Sequence, residues 1–164
     1  MAETRQRIAA AAADLHGTVG PARTTMSAVA DRAGVQRHTV YRHFPTEADL
    51  FGACSAHFFA ENPLPDATLW REIEDPRQRL QRVLDDLYGF YEGTEQMFTN
   101  VLRDADLIED LRPTLIPVQE FLDQVAELLA TGWGTRGRRR HRLGVATRHA
   151  FDCRSWRSLA RGDP

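Results

Sequence analysis

Apolar residues recur at intervals of three and four along most of this chain, the spacing of amphipathic helices. Ile8, Ala11, Ala12 and Leu15 fall on one face of a helix predicted over Arg5 to His16, which Gly17, Gly20 and Pro21 bring to an end. Thr25 is a good N-cap for a second helix through Ala33 that turns Ala28 or Val29, with Ala30, inward. Gly34 then supplies a turn in which a positive φ costs little. A third helix runs from about Arg37 to Phe44. Pro45 and Thr46 interrupt it, and Thr46 can cap a fourth helix containing Leu50, Phe51, Cys54, His57 and Phe58.

The rest of the chain keeps the helical period. Asn62 to Pro76 holds three prolines and reads as a loop. Leu80, Val83, Leu84, Leu87, Tyr88 and Tyr91 mark a helix, and a shorter one is predicted over Gln96 to Asp104. Pro113 and Pro117 mark the start, or a kink, of a helix carrying Phe121, Leu122, Val125, Leu128 and Leu129. Gly132, Gly134 and Gly137 break the chain before a last long helix from Arg138 to Leu159. With no strand alternation, the expected fold is all-α. A three-helix head with a helix-turn-helix, residues 1–45, precedes a helical-bundle body, residues 46–164.

Charge divides the chain more sharply than its net value of −2 suggests. Residues 1–45 carry six Arg against three acids, residues 46–135 six Arg against eighteen, and residues 136–164 nine Arg against two. A weakly basic head on an acidic body suits a local nucleic-acid footprint, with the body repelling DNA. All 21 basic residues are Arg; the Ala-rich composition points to a genomic cause, yet every basic phosphate contact must then be a guanidinium contact. Cys54 and Cys153 have no CxxC spacing and no His cluster nearby, which argues against structural zinc and against a disulfide framework. No apolar run reaches bilayer length and the N-terminus lacks signal-peptide architecture, so a cytoplasmic location and no membrane partner are expected. No nucleophile–base–orienter grouping or phosphate-cradling loop is present, so neither an enzyme nor a cofactor is expected.

The chemistry lies in Thr25 to Phe44, TMSAVADRAGVQRHTVYRHF. On a helix, Val40 and Phe44 share an inward face, leaving Arg37, His38, Thr39, Tyr41 and Arg42 on the remaining arc. Arg and His can donate to guanine edges, Thr can touch a thymine methyl, and Tyr and His can donate to phosphates. Thr25 and Ser27 sit at a helix N-terminus whose amides and dipole favour a phosphate. Tyr41 and His43 also suit plain packing, and the Arg residues plain solvation. The joint occurrence of turn, caps and donor face favours DNA.

This stretch resembles the head of the TetR family of bacterial transcriptional repressors. The resemblance is carried by Thr24-Thr25, Val29-Ala30, Ala33-Gly34-Val35 and Thr39-Val40-Tyr41-Arg42-His43-Phe44, followed by Leu50-Phe51. It covers residues 5–58; beyond that only the helical layout agrees. The resemblance implies a homodimer on a palindromic double-stranded DNA operator, released when an unknown small-molecule effector in the body spreads the heads. It further implies that Thr39, Tyr41 and His43 contact backbone and bases, that Thr25 donates to a phosphate, and that Arg37 and His38 vary with the operator. Two positions depart from the family pattern. Gln36 stands where a Ser cap is usual, so the cap is weaker or Gln36 itself faces DNA; Glu47 stands where a phosphate-binding Lys is common. Fewer ionic contacts and a shallower salt dependence are therefore expected. A helical dimerisation module with weakened or lost DNA binding is the alternative.

In the body, Tyr88, Tyr91, Met97, Phe98, Phe121 and His149 could line an effector cavity, although an apolar stripe at helical spacing equally suits plain core. Arg136, Arg138, Arg139, Arg140 and Arg142 form a basic run that suits a second nucleic-acid site, a patch for an acidic partner or a solvated helix start; the resemblance sets it away from the DNA-facing end. Family members commonly continue past the 138–159 helix with another. Here Arg161-Gly162-Asp163-Pro164 closes the sequence, so either the chain is truncated or dimerisation is expected to rest mainly on the helix containing Leu143, Ala146, Ala150, Phe151 and Trp156.

Overall fold

The computed structural model describes residues 1–134 and 136–161, all helix, turn or loop; the closing Gly162-Asp163-Pro164 lies outside them. Its α-helices are α1 (Ala2–Thr18), α2 (Met26–Ala33), α3 (Arg37–His43), α4 (Glu47–Glu61), α5 (Ala67–Arg71), α6 (Pro76–Asp104), α7 (Ile116–Leu129), α8 (Gly137–Ala150) and α9 (Cys153–Arg161). Short 3-10 turns cover Pro21–Arg23 and Glu109–Leu115. Packing divides the chain into two compact units. Met1–Pro63 with Thr94–Leu115 forms the first, and Leu64–Gly93 with the chain from Ile116 onward forms the second. No helix among the described residues is long and apolar enough to cross a membrane.

The first unit is larger than the 1–45 head because the head's core needs α4. Ile8, Ala9, Ala11, Ala12 and Ala13 of α1 pack with Val29, Ala30 and Ala33 of α2, with Val40 and Phe44, and with Leu50, Phe51 and Cys54 of α4. Ala105 and Leu111 complete this cluster from the segment after α6. Small residues on α1 let its neighbours approach closely, and Val40 and Phe44, both 0 % exposed, anchor α3 by the i,i+4 pair read from the sequence. Losing the Phe44 ring would cost roughly 3–5 kcal/mol.

The chain after α4 corrects three expectations. The Asn62–Pro76 loop contains α5, which Asp66 starts by accepting from the Thr68 amide at 2.9 Å. It delivers Trp70 into the core at 0 % exposure, where the indole N–H donates to Asp86 Oδ2 at 2.8 Å. The helices predicted over 80–91 and 96–104 are one helix, α6, which runs through Gly89 and Gly93 without a break. Nothing packs within 4 Å of the Cβ position at either glycine, so each costs intrinsic helix propensity only. The single helix expected over 138–159 is two: Phe151 is buried and its carbonyl accepts from the Tyr91 hydroxyl at 2.6 Å, while Asp152 Oδ1 caps α9 through the Arg154 amide at 2.8 Å. Arg79, buried on α6, donates to the carbonyls of Ile73 and Leu128 and to the Thr131 hydroxyl, tying off the C-terminal end of α7.

Candidate nucleic-acid interface

The helix-turn-helix is built by capping. Thr25 Oγ1 accepts from the Ala28 amide at 3.1 Å, and the Thr25 carbonyl receives the first helical bond from Val29. This leaves the Met26 and Ser27 amides without an intrahelical acceptor, and the Thr25 hydroxyl proton free to point outward. At the other end Gly34 takes φ 64°, ψ 39°, a left-handed conformation that only glycine adopts cheaply. The Val35 amide reaches back to the Ala30 carbonyl at 3.0 Å, and the Gly34 amide to Asp31 at 3.2 Å. These paired bonds close α2 and turn the chain into α3.

Two arginines of α1 hold both helix ends. Arg7 Nη2 donates to the Ala33 carbonyl at 2.5 Å and reaches the Gly34 carbonyl at 3.5 Å. Arg5 Nη1 donates to the His43 carbonyl at 3.1 Å, with its guanidinium 4.2 Å from the Phe44 ring centroid. Carbonyls at helix C-termini lack intrahelical donors, so these side chains supply what the backbone cannot. The basic character of the head is thus partly structural. Arg32 pairs with Asp14, and Arg23 donates to the Val19 carbonyl.

The connection between α1 and α2 is fixed from α6. Asn100, 1 % exposed, donates from Nδ2 to the His16 carbonyl at 3.0 Å and the Gly17 carbonyl at 2.8 Å. Asp104 Oδ2 accepts from the Ala22 amide at 3.0 Å, and Arg103 brackets the same carboxylate. The Arg103 hydrogen bond outweighs burial and holds the Asp104 carboxyl below the usual range. Gly20, at φ 97°, passes so close that a Cβ there would stand 2.7 Å from Asp104 Oδ2. Single polar residues that bond distant backbone groups carry no periodic signal, so neither the exposed Arg5 and Arg7 nor the buried Asn100 and Asp104 can be read as struts from the sequence.

With this frame in place, α3 projects Arg37, His38, Tyr41 and Arg42 as exposed side chains, with Thr39 and His43 half-buried on its flanks. Thr25 and Gln36 are exposed at the N-caps of α2 and α3. Gln36 makes no side-chain capping bond, which leaves its carboxamide available. Thr46 and Asp49 form a reciprocal capping box at the start of α4, occupying the Thr46 and Asp49 amides and leaving those of Glu47 and Ala48 as first-turn donors. Glu47 is exposed there.

The six body candidates are divided between the two units. Met97 and Phe98 belong to the first unit, and Tyr88, Tyr91, Phe121 and His149 to the second. Tyr91 is 1 % exposed and packs on Trp156, which Tyr88 also meets; Phe121 packs on Trp70. His149 is exposed on α8, along a wide groove of about 1120 Å³ that also runs past Asp123, Ala126 and Arg140.

Bacterial regulatory proteins of the tetR family match the chain over residues 8–54. The HTH-type transcriptional repressor Rv3405c of Mycobacterium tuberculosis is 32% identical over 140 residues, covering 82% of this chain and 72% of that protein. The HTH-type transcriptional regulator Mb3439c of Mycobacterium bovis matches to the same extent. A TetR transcription regulator from Haloarcula marismortui shares the fold, with a TM-score of 0.69 at 18% identity over 99% of this chain and 89% of that one. With its capped helices, glycine turn and donor-bearing α3, the chain belongs to the tetR family of bacterial regulatory proteins and is a transcriptional regulator with a DNA-binding helix-turn-helix.

Proposed function

We propose that the chain is a homodimeric repressor that binds a palindromic operator through α3 and leaves it when a small molecule enters the helical body. One observation carries the DNA half of this reading: Val40 and Phe44 are both 0 % exposed while Arg37, His38, Tyr41 and Arg42 are exposed on the same helix. In this reading Thr39, Tyr41 and His43 meet backbone and base edges, and Thr25 donates to a phosphate. Arg37, His38, Arg42 and Gln36 set sequence preference. The repressor name of the mycobacterial relative supports the direction of regulation. For the effector, Tyr88, Phe121 and His149 are the accessible candidates of the second unit, since the Tyr91 hydroxyl is committed to the Phe151 carbonyl.

Fluorescence anisotropy with duplex DNA from the region upstream of the gene tests the proposal. Salt-sensitive binding that discriminates against a scrambled duplex supports it. Equal affinity for both duplexes, or none at low salt, favours a dimerisation module that has lost DNA binding, a reading to which the exposed carboxylate of Glu47 lends weight.

A further inference from the structure

A cleft of about 330 Å³ opens within the first unit, between the turn that joins α1 to α2, the first turn of α2, the start of α4 and the segment after α6. Met26, Leu50, Phe51 and Ile108 give it apolar walls, and the exposed Glu47 also lines it. Its volume falls at the lower end of the range for small-molecule sites, about 300–1,000 Å³.

One lining group is out of keeping with a plain gap in packing. His16 is 4 % exposed, and a buried imidazole needs a partner at each ring nitrogen. Nδ1 lies 3.4 Å from the Cys54 Sγ, whereas no protein group hydrogen-bonds Nε2 among the described residues. Cys54 is not part of the cleft wall, so the ring edge left to line the cleft is the one that carries Nε2. Asp104, whose charge reaches the imidazole, does not meet the need, because its carboxylate is taken up by the Ala22 amide and by Arg103. A buried polar atom left without a partner is costly, and a ligand group that reaches it removes the cost.

The walls select the occupant. Burial holds His16 neutral, so a hydroxyl satisfies Nε2 in either tautomer: it donates to a bare nitrogen and accepts from a protonated one. Phe51, whose ring stands 5.4 Å from that of His16, suits an aromatic body among the aliphatic side chains. Glu47, which no ion pair engages among the described residues, disfavours a carboxylate or phosphate there.

We propose that this cleft is a small-molecule site within the head itself, which takes an uncharged phenol with its hydroxyl on His16 Nε2 and its ring against Phe51. The site is separate from any effector cavity of the second unit, and it does not depend on the repressor reading.

The full-length chain without DNA, 4-methylphenol as probe and nitrogen NMR of the histidine side chains provide the test. The His16 ring is assigned through its proximity to Phe51. Titration should saturate and should move the His16 Nε2 resonance. Toluene, which lacks the hydroxyl, should bind about five- to tenfold more weakly, the ratio expected of one hydrogen bond. 4-Methylbenzoate should also bind more weakly than the phenol, and should gain several-fold in Glu47→Gln. In His16→Phe the advantage of 4-methylphenol over toluene should vanish; should that variant misfold, the wild-type resonance and the wild-type ratio decide the matter without it. Absence of saturable binding overturns the proposal and leaves the cleft to solvent. Saturable binding with an unmoved His16 resonance overturns it too, since the phenol then sits elsewhere in the chain. So does a hydroxyl preference that survives in folded His16→Phe, or 4-methylbenzoate binding as tightly as the phenol.

Discussion

Arg37 donates from Nη2 to the Tyr41 hydroxyl oxygen at 3.1 Å across one turn of α3, with its guanidinium 5.5 Å from the Tyr41 ring centroid. The bond occupies an acceptor site on the phenol and leaves its proton to donate outward, so Arg37 orients Tyr41 toward an acceptor such as a phosphate oxygen. Tyr41→Phe should weaken binding to all duplexes alike, about five- to tenfold for a hydrogen bond of about 1–1.5 kcal/mol. Arg37→Ala should weaken binding too and also relax base preference. In a double-mutant cycle the two changes should be non-additive. Strict additivity would show that the pair does not act together on DNA, and loss of discrimination in Tyr41→Phe would move that residue to base readout.

The α1 clamp predicts a different signature. Arg7→Met keeps most of the aliphatic stem but removes the donors to the Ala33 and Gly34 carbonyls. Roughly 1–2 kcal/mol of stability should be lost, seen as a fall of several degrees in Tm. Because α3 would be displaced as a body, affinity should drop on every duplex without a change in rank order. A variant with wild-type Tm but reduced affinity would instead make Arg7 a phosphate contact.

How far the sequence discloses this molecule follows from which interactions are periodic. Thr25, Gly34 and Thr46 act within a turn of their own positions, Val40 and Phe44 mark an inward face by their i,i+4 spacing, and each does in the structure what local rules require. The α5 helix was hidden because its proline-rich flanks read as loop; its justification is Trp70, buried by partners sixteen or more positions away. The break between α8 and α9 depends on Tyr91, sixty residues from Phe151. Arg79, Asn100 and Asp104 satisfy distant backbone groups from single positions and leave no pattern at all. The donor face of α3 was therefore legible, while the struts that hold it were not.

Glu47 tests the electrostatics of the interface. It is exposed in the first turn of α4, where it complements the helix dipole but places a carboxylate among first-turn amides suited to a phosphate. Glu47→Lys should raise affinity for promoter DNA several-fold at low salt and steepen the salt slope by about 0.9, the signature of one added phosphate contact. The exchange should cost no more than about 1 kcal/mol of stability through the dipole. An unchanged slope would mean that the start of α4 does not face the backbone.

His16 makes the stability of the first unit depend on pH. It is 4 % exposed, its ring lies 5.4 Å from that of Phe51, and Nδ1 is 3.4 Å from the Sγ of Cys54. Burial holds its pKa down to about 4, against the opposing pull of Asp104, and pushes the Cys54 thiol up to about 12. In the unfolded chain the imidazole titrates near 6.5, so between pH 6.5 and 4 the unfolded state binds the extra proton. Stability is therefore complete above 6.5 and falls as pH drops toward 4, by about 3 kcal/mol in all. The Asp104 carboxylate, held below its usual range, adds a loss only at lower pH, as it titrates beneath the ordinary carboxylate value of about 4. The two windows barely overlap. Thermal melts from pH 7.5 to 4.5 should show Tm falling in the wild type, and the fall should be largely removed in His16→Phe whatever that variant's absolute stability. Parallel curves for the two proteins would show that another group controls the acid sensitivity.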